Sequence, residues 1–161
     1  MMPGDLTHEA LHLPFDRDGF RWRGVSERAY KDSAGAERGM GWHGVTRHTL
    51  AAPAPARSGF EQRYFEIEPG GWSSLEKHAH AHVVIAVRGH GRALIGDRVV
   101  ELAPMDLVDT PPFAPHRWMC AGEEPFGFLC TVDRDRDRPQ PLSTAEWEAL
   151  CADSRTAPFV F

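Results

Sequence analysis

Glu76, His78, His80 and His82 occupy alternate positions of one stretch, Leu75-Glu76-Lys77-His78-Ala79-His80-Ala81-His82. In an extended chain alternate side chains share a face. The pattern therefore gathers three imidazoles and a carboxylate on one side and turns Lys77, Ala79 and Ala81 to the other. Imidazoles and a carboxylate facing one point are a donor set for a divalent transition metal. Residues i and i+2 of a strand lie about 6 to 7 Å apart, so three consecutive donors strain to reach one ion. Glu76 with His78, then a break in the strand and His82, is the easier arrangement.

A fourth donor comes from far along the chain. His116 opens His116-Arg117-Trp118-Met119-Cys120, where His116, Trp118 and Cys120 share a face if the segment is a strand. The favoured ligands are Glu76, His78, His82 and His116. The alternative set is His78, His80, His82 and His116, with Glu76 behind them or acting as a base. Mn, Fe, Ni, Co and Zn all suit such donors, and spacing does not choose among them. A third possibility is a polar barrel that holds no metal.

His80, outside the favoured set, is a candidate catalytic residue as a proton relay; the alternatives are the pocket mouth or solvent. Cys120 is the other catalytic candidate. If His116 binds the metal, Cys120 is expected to look into the same pocket, where nearby cations favour the nucleophilic thiolate. The alternative is a small buried apolar residue. Cys130, in the apolar run Phe126 to Val132, and Cys151, near the C-terminus, are read as packing residues.

The elements that position these residues are short strands. Phe20 to Tyr30 alternates apolar and basic residues, Lys31 to Gly44 reads as a loop, and Gly44 to Leu50 as a strand. Ala51 to Gly59 is a Pro-rich surface connector. Strands are then expected over Phe60 to Ile67, Val83 to Val87, Arg92 to Ile95, Arg98 to Leu102, Asp106 to Thr110, His116 to Cys120 and Phe126 to Val132. Gly96-Asp97 is a hairpin signal. Many short strands without intervening helices argue for an antiparallel sandwich or barrel. Asp133 to Arg138 alternates in sign and reads as a solvated connector. Ser143-Thr144-Ala145-Glu146 has capping-box spacing, so one helix is expected at about 144 to 152. Residues 1 to 19 read as irregular, with one helical turn at Thr7 to Leu13.

Composition narrows the function. The chain has 161 residues, 42% hydrophobic and 25% charged, with a net charge of −5. There is no basic excess to hold a phosphate backbone, so no nucleic-acid partner is expected. No apolar run approaches the ~20 residues of a membrane span. No secretory signal is expected of Met1-Met2-Pro3-Gly4-Asp5. Three cysteines do not make a disulfide framework, which points to the reducing cytoplasm.

Two motifs resemble those of the cupin family. The first is usually written G-x5-H-x-H-x3,4-E-x6-G. Here Gly70, Glu76, His78, His82 and Gly89 reproduce its spacing with the glutamate and one histidine exchanged. The second is usually G-x5-P-x-G-x2-H-x3-N. Met105, Pro111, Phe113, His116 and Cys120 match its register, with Met105, Phe113 and Cys120 replacing two glycines and the asparagine. The resemblance spans about residues 60 to 132. It implies an all-β cupin double-stranded β-helix (a jelly-roll barrel), here with a short C-terminal helix. It also implies a single domain over 1–161, with an N-terminal extension at 1–59, and a homodimer. With Glu-x-His-x-His-x-His and a cysteine after the second motif, the chain further resembles the methylthioxylulose 5-phosphate methylsulfurylases of methionine salvage. That resemblance implies a Mn-dependent enzyme removing a methylthio group from a small sugar phosphate. The group passes to a thiol such as glutathione, with Cys120 as the residue that takes it up. The competing readings are a cupin-type iron dioxygenase and a non-catalytic sugar- or effector-binding cupin.

Overall fold

Strands form where the alternation is strongest. The computed structural model describes residues 11–32, 35–51 and 58–161. Its strands are β1 Phe15–Asp16, β2 Arg21–Trp22, β3 Arg28–Ala29, β4 His43–Ala51, β5 Phe60–Trp72 and β6 His82–Arg88. They continue as β7 Gly91–Ile95, β8 Arg98–Leu102, β9 Leu107–Thr110, β10 His116–Cys120 and β11 Phe126–Asp133, followed by helix α1 Thr144–Ala152. Part of the expected helical turn at Thr7 to Leu13 and the centre of the Pro-rich connector lie outside the described residues.

All pairings are antiparallel, and one curled sheet runs β8-β7-β10-β5-β11-β6-β9, with β4 added to β5. This is the jelly-roll architecture expected of the sequence. Its interior is filled by the inward residues of each strand, among them Val45, Phe65, Ile67, Val84, Trp118 and Phe128. The β7–β8 hairpin closes on Gly96-Asp97, with Gly96 at φ 63°. Glycine first in a two-residue loop is the II′ signature, whose twist matches that of the strands.

Two expectations are corrected. Phe20 to Tyr30 is no continuous strand. Phe20 has φ 49° and Gly24 φ 83°, and these left-handed residues leave only the two-residue strands β2 and β3. The strand expected over Phe60 to Ile67 does not end there, because β5 runs on through Glu68-Pro69-Gly70-Gly71 to Trp72. The register against β4 shifts between His43 and Val45, so the extra residues form a bulge. The break expected between His78 and His82 is present: Glu76 and Lys77 make isolated bridges, to His116 and Gln140, and β6 starts only at His82.

The helix forms where its capping box predicts. Ser143 Oγ accepts from Glu146 N at 3.3 Å, and Ser143 N donates to Glu146 Oε2 at 2.7 Å. Glu146 also receives Lys77 Nζ at 2.7 Å, which ties the helix to the histidine segment. Leu150 and Trp147 pack with Leu75, Leu94, Leu142 and Phe159 in a second cluster. Leu75 immediately precedes Glu76, so this cluster fixes the start of the donor segment.

Candidate metal centre

The in-and-out alternation from Glu76 to His82 is realised despite the break in the strand. Glu76, His78, His80 and His82 are buried, whereas Ala79 and Ala81 are exposed. The break is a bend at residues 78–81, pinned by Asp137, which accepts from Ala79 N at 2.7 Å and from His80 N at 3.2 Å. The bend lets His78 and His82 approach His116 across the sheet. One ring nitrogen from each of His78, His82 and His116 lies within 4.8 Å of the others.

The hydrogen bonds of these rings decide which nitrogen is offered. His78 Nδ1 donates to the carbonyl of His80 at 2.7 Å, and His116 Nδ1 to the carbonyl of Ala114 at 2.9 Å. His82 Nδ1 is 3.3 Å from Cys130 Sγ. His78 and His116 thus carry the proton on Nδ1, which leaves Nε2 as the lone-pair nitrogen, and His82 turns Nδ1 outward in the same way. His82 Nε2 is buried with no hydrogen-bond partner. An orphaned buried acceptor flanked by two like rings is what a metal ligand looks like before its ion is counted. Burial first, then the fields of His116 and His80, pull the His78 ring down to about 4. Burial lowers His82 and His116 as well. All three rings are therefore neutral at neutral pH, the form that ligates. The residues present fit a divalent transition metal.

Glu76 lines the same cavity but its Oε2 is engaged by Lys31 and by the Ser74 hydroxyl. Burial opposes its ionisation. The Lys31 ammonium and His116 outweigh that and hold the carboxyl below its ordinary range. Glu76 also pairs by backbone with His116, donating N to His116 O at 3.2 Å and accepting His116 N at 2.9 Å. The carboxylate is thus beside the three rings without being one of the converging donors. His80 stacks on His78 with ring centroids 3.6 Å apart and planes 4° apart. Its Nδ1 donates to Asp137 Oδ1 at 2.7 Å.

The cavity around these rings has a volume of about 480 Å³, within the range of small-molecule sites. The expectation that Cys120 looks into it is corrected. Cys120 is on the inner face of β10 as its parity predicts, but four residues beyond His116, or about 13 Å at some 3.3 Å per residue. Trp118 lies between and lines the cavity, and Cys120 does not. The Cys120 thiol donates instead to the Glu124 carbonyl at 3.2 Å. The thiol that does line the cavity is Cys130, read from sequence as packing. Asp137 was equally hidden, inside the Asp-Arg run that reads as a solvated connector. Nor does Lys31 carry any local signal.

Comparison with known proteins agrees with this architecture. The profile of the Cupin domain family matches residues 63–132, and the chain belongs to the cupin family. It is 40% identical over 156 residues, 97% of its length and 96% of the relative's, to the 1-methylthio-D-xylulose 5-phosphate methylsulfurylase of Rhodospirillum rubrum. Among solved structures, a cupin 2 conserved barrel domain protein from Rhodopseudomonas palustris superposes with a TM-score of 0.81 at 37% identity, covering 93% of this chain and 99% of that one. A cupin-2 domain protein from Rhodospirillum rubrum superposes with a TM-score of 0.76, also at 37% identity, covering 92% and 95%. Among the described residues no helix is long and apolar enough to cross a membrane.

Proposed function

We propose that this chain removes the methylthio group from 1-methylthioxylulose 5-phosphate and passes it to a thiol such as glutathione, leaving deoxyxylulose 5-phosphate. The observation that carries this reading is the 40% identity, over nearly the whole of both chains, to a protein named for that activity. The buried three-histidine centre in a metabolite-sized cavity supports it.

His78, His82 and His116 would hold the ion through Nε2, with Glu76, held by Lys31 and Ser74, beside them on the same wall. A divalent cation bound there, Mn by preference over Fe, Ni, Co or Zn, supplies polarisation of the ketose carbonyl. The acceptor thiolate attacks the methylthio sulfur and an S–S bond forms. The C–S bond breaks, and its electron pair stays on the carbon beside the carbonyl. That carbon is protonated by His80, whose ring is held through Nδ1 by Asp137, leaving Nε2 to exchange the proton. The carbon is reduced, and the two sulfurs leave together as a methyl mixed disulfide. For Cys120 to take part, its thiol would have to leave the Glu124 carbonyl and pass Trp118, so the external thiol is the direct acceptor.

The test is turnover of 1-methylthioxylulose 5-phosphate with glutathione by Mn-loaded protein, with mass spectrometry of both products. The reading predicts deoxyxylulose 5-phosphate and methyl-glutathionyl disulfide in equal amounts, abolished by chelation. No turnover with any of the five metals overturns it, and oxygen uptake on metal loading points instead to an iron dioxygenase. Turnover retained by Cys120→Ser supports direct transfer. Its loss, with metal content unchanged, makes Cys120 the first acceptor.

A further inference from the structure

Four arginines line the cavity, Arg47, Arg63, Arg136 and Arg138, and the first two each hold a buried Nε with no hydrogen-bond partner. Arg47 is on β4 and Arg63 on β5, and both line the cavity. In the register Arg47 faces Phe65 and Thr49 faces Arg63. The two arginines are therefore diagonal neighbours on adjacent strands, about 7 to 8 Å apart along the sheet. They sit at inward positions, in line with Val45 on β4 and with Phe65 and Ile67 on β5, where the core elsewhere places apolar side chains.

Arg63 forms an ion pair with Glu61 and donates Nη2 to Cys130, but each guanidinium keeps one donor unused. The Nε of Arg47 and the Nε of Arg63 are buried without a hydrogen-bond partner. The acids nearby are committed elsewhere. Glu61 Oε1 is 3.6 Å from Arg63 Nε, beyond hydrogen-bond range, and is shared with Arg136 Nη2 at 3.2 Å. Asp137 is taken by His80 and two backbone amides, and Glu76 by Lys31 and Ser74. Two buried donors on neighbouring guanidinium groups await an acceptor with several oxygens. A phosphate monoester offers three, in a geometry that the guanidinium fork matches.

The position of the pair relative to the histidines sets what it can hold. Arg63 Nη2 donates to Cys130 Sγ at 3.4 Å, and the same sulfur is 3.3 Å from His82 Nδ1. One sulfur atom thus separates the guanidinium from the back of the His82 ring, and both arginines line the same cavity as the three rings. A short-chain substrate with its carbonyl end at the histidines would bring its far end to the arginines.

We propose that Arg47 and Arg63 form a phosphate subsite, which anchors the phosphomonoester of the substrate and so sets its specificity. The proposal rests on the sugar-phosphate reading above. It is tested on the metal-loaded full chain by calorimetric titration with xylulose 5-phosphate, xylulose and inorganic phosphate. In the unsubstituted protein, inorganic phosphate is expected to compete with xylulose 5-phosphate and not with xylulose. Arg47→Gln and Arg63→Gln are each expected to weaken xylulose 5-phosphate about tenfold to a hundredfold, the range of a charged hydrogen bond. Xylulose affinity and metal content stay unchanged. Arg63→Lys, which keeps the charge and loses the fork, is expected to fall between.

The subsite is overturned if both ketoses weaken equally, if neither does, or if inorganic phosphate fails to compete in the unsubstituted protein. The last measurement needs no variant to fold. The two readings separate cleanly. Phosphate-selective loss in a protein that never turns over the methylthio sugar keeps the subsite and sinks the reaction. Turnover with unchanged KM in both glutamine variants keeps the reaction and sinks the subsite.

Discussion

Cys130 Sγ lies 3.3 Å from His82 Nδ1, at the back of the ring whose Nε2 is buried and unpartnered. The sulfur holds the orientation of this ring, as the carbonyls of His80 and Ala114 do for His78 and His116. Residues that hold a ligating imidazole from behind typically contribute 10- to 100-fold in metal affinity. Cys130→Ala is therefore expected to weaken Mn binding by about tenfold or more. Cys130→Ser, whose hydroxyl accepts the same Nδ1–H, recovers part of the loss. Competition with a chelator of known affinity measures both. Equal affinity in all three proteins would leave Cys130 as packing alone.

The three lowered histidines make stability pH-dependent in a defined window. His78 is held at about 4 in the fold and titrates near 6.5 once unfolded. Between those values the unfolded chain binds the extra proton, so stability rises with pH there. The contribution is complete above pH 6.5 and lost as the pH falls toward 4. His82 and His116 act in the same direction. Asp137, held at about 2 by the Ala79 amide and the His80 ring, loses its share only at lower pH, below the ordinary carboxylate range. Urea midpoints of metal-free protein should drop steadily from pH 6.5 to 4.5, and the drop should be shallower in His78→Gln. A flat profile sinks the assignment.

The second motif predicts a stabilising change. Met105 and Phe113 stand where cupins usually carry glycine, and both adopt left-handed backbone, at φ 79° and 61°. The fold keeps the conformation of the motif without the residue suited to it. Met105 is 78% exposed, so truncation forfeits little packing. Relief of the left-handed strain, roughly 1 to 2 kcal/mol, outweighs the added chain entropy of glycine, 0.5 to 1. Met105→Gly should raise the unfolding free energy by about 1 kcal/mol, read from denaturant titration. A decrease would mean that Met105 has a partner outside the described contacts.

Periodicity alone revealed the face shared by Glu76, His78, His80 and His82, because burial against an interior enforces it residue by residue. It also revealed the parity of Cys120. Depth along a strand is a different quantity. Whether Cys120 or Cys130 meets the cavity depends on where Trp118 lies and on how β11 runs beside β6, both set by long-range register. Lys31 and Asp137 were invisible for the same reason. Their partners, Glu76 and His80, are 45 and 57 residues away, and no local pattern marks them. Arg47 and Arg63 were legible as residue types but not as neighbours, since only the pairing of β4 with β5 places them together.

The His80–Asp137 pair gives the sharpest test of the proposed chemistry. His80 is buried against His78 but its Nδ1 is committed to Asp137, which itself pins the 78–81 bend through two amides. A proton donor acts in the chemical step, so His80→Gln should lower kcat by 10²- to 10⁴-fold. KM and Mn content should change little. Asp137→Asn keeps an acceptor for Nδ1–H and so keeps the ring oriented. Its loss in kcat should be smaller. If His80→Gln instead loses Mn in proportion to activity, His80 belongs to the ligand set and the proton comes from elsewhere.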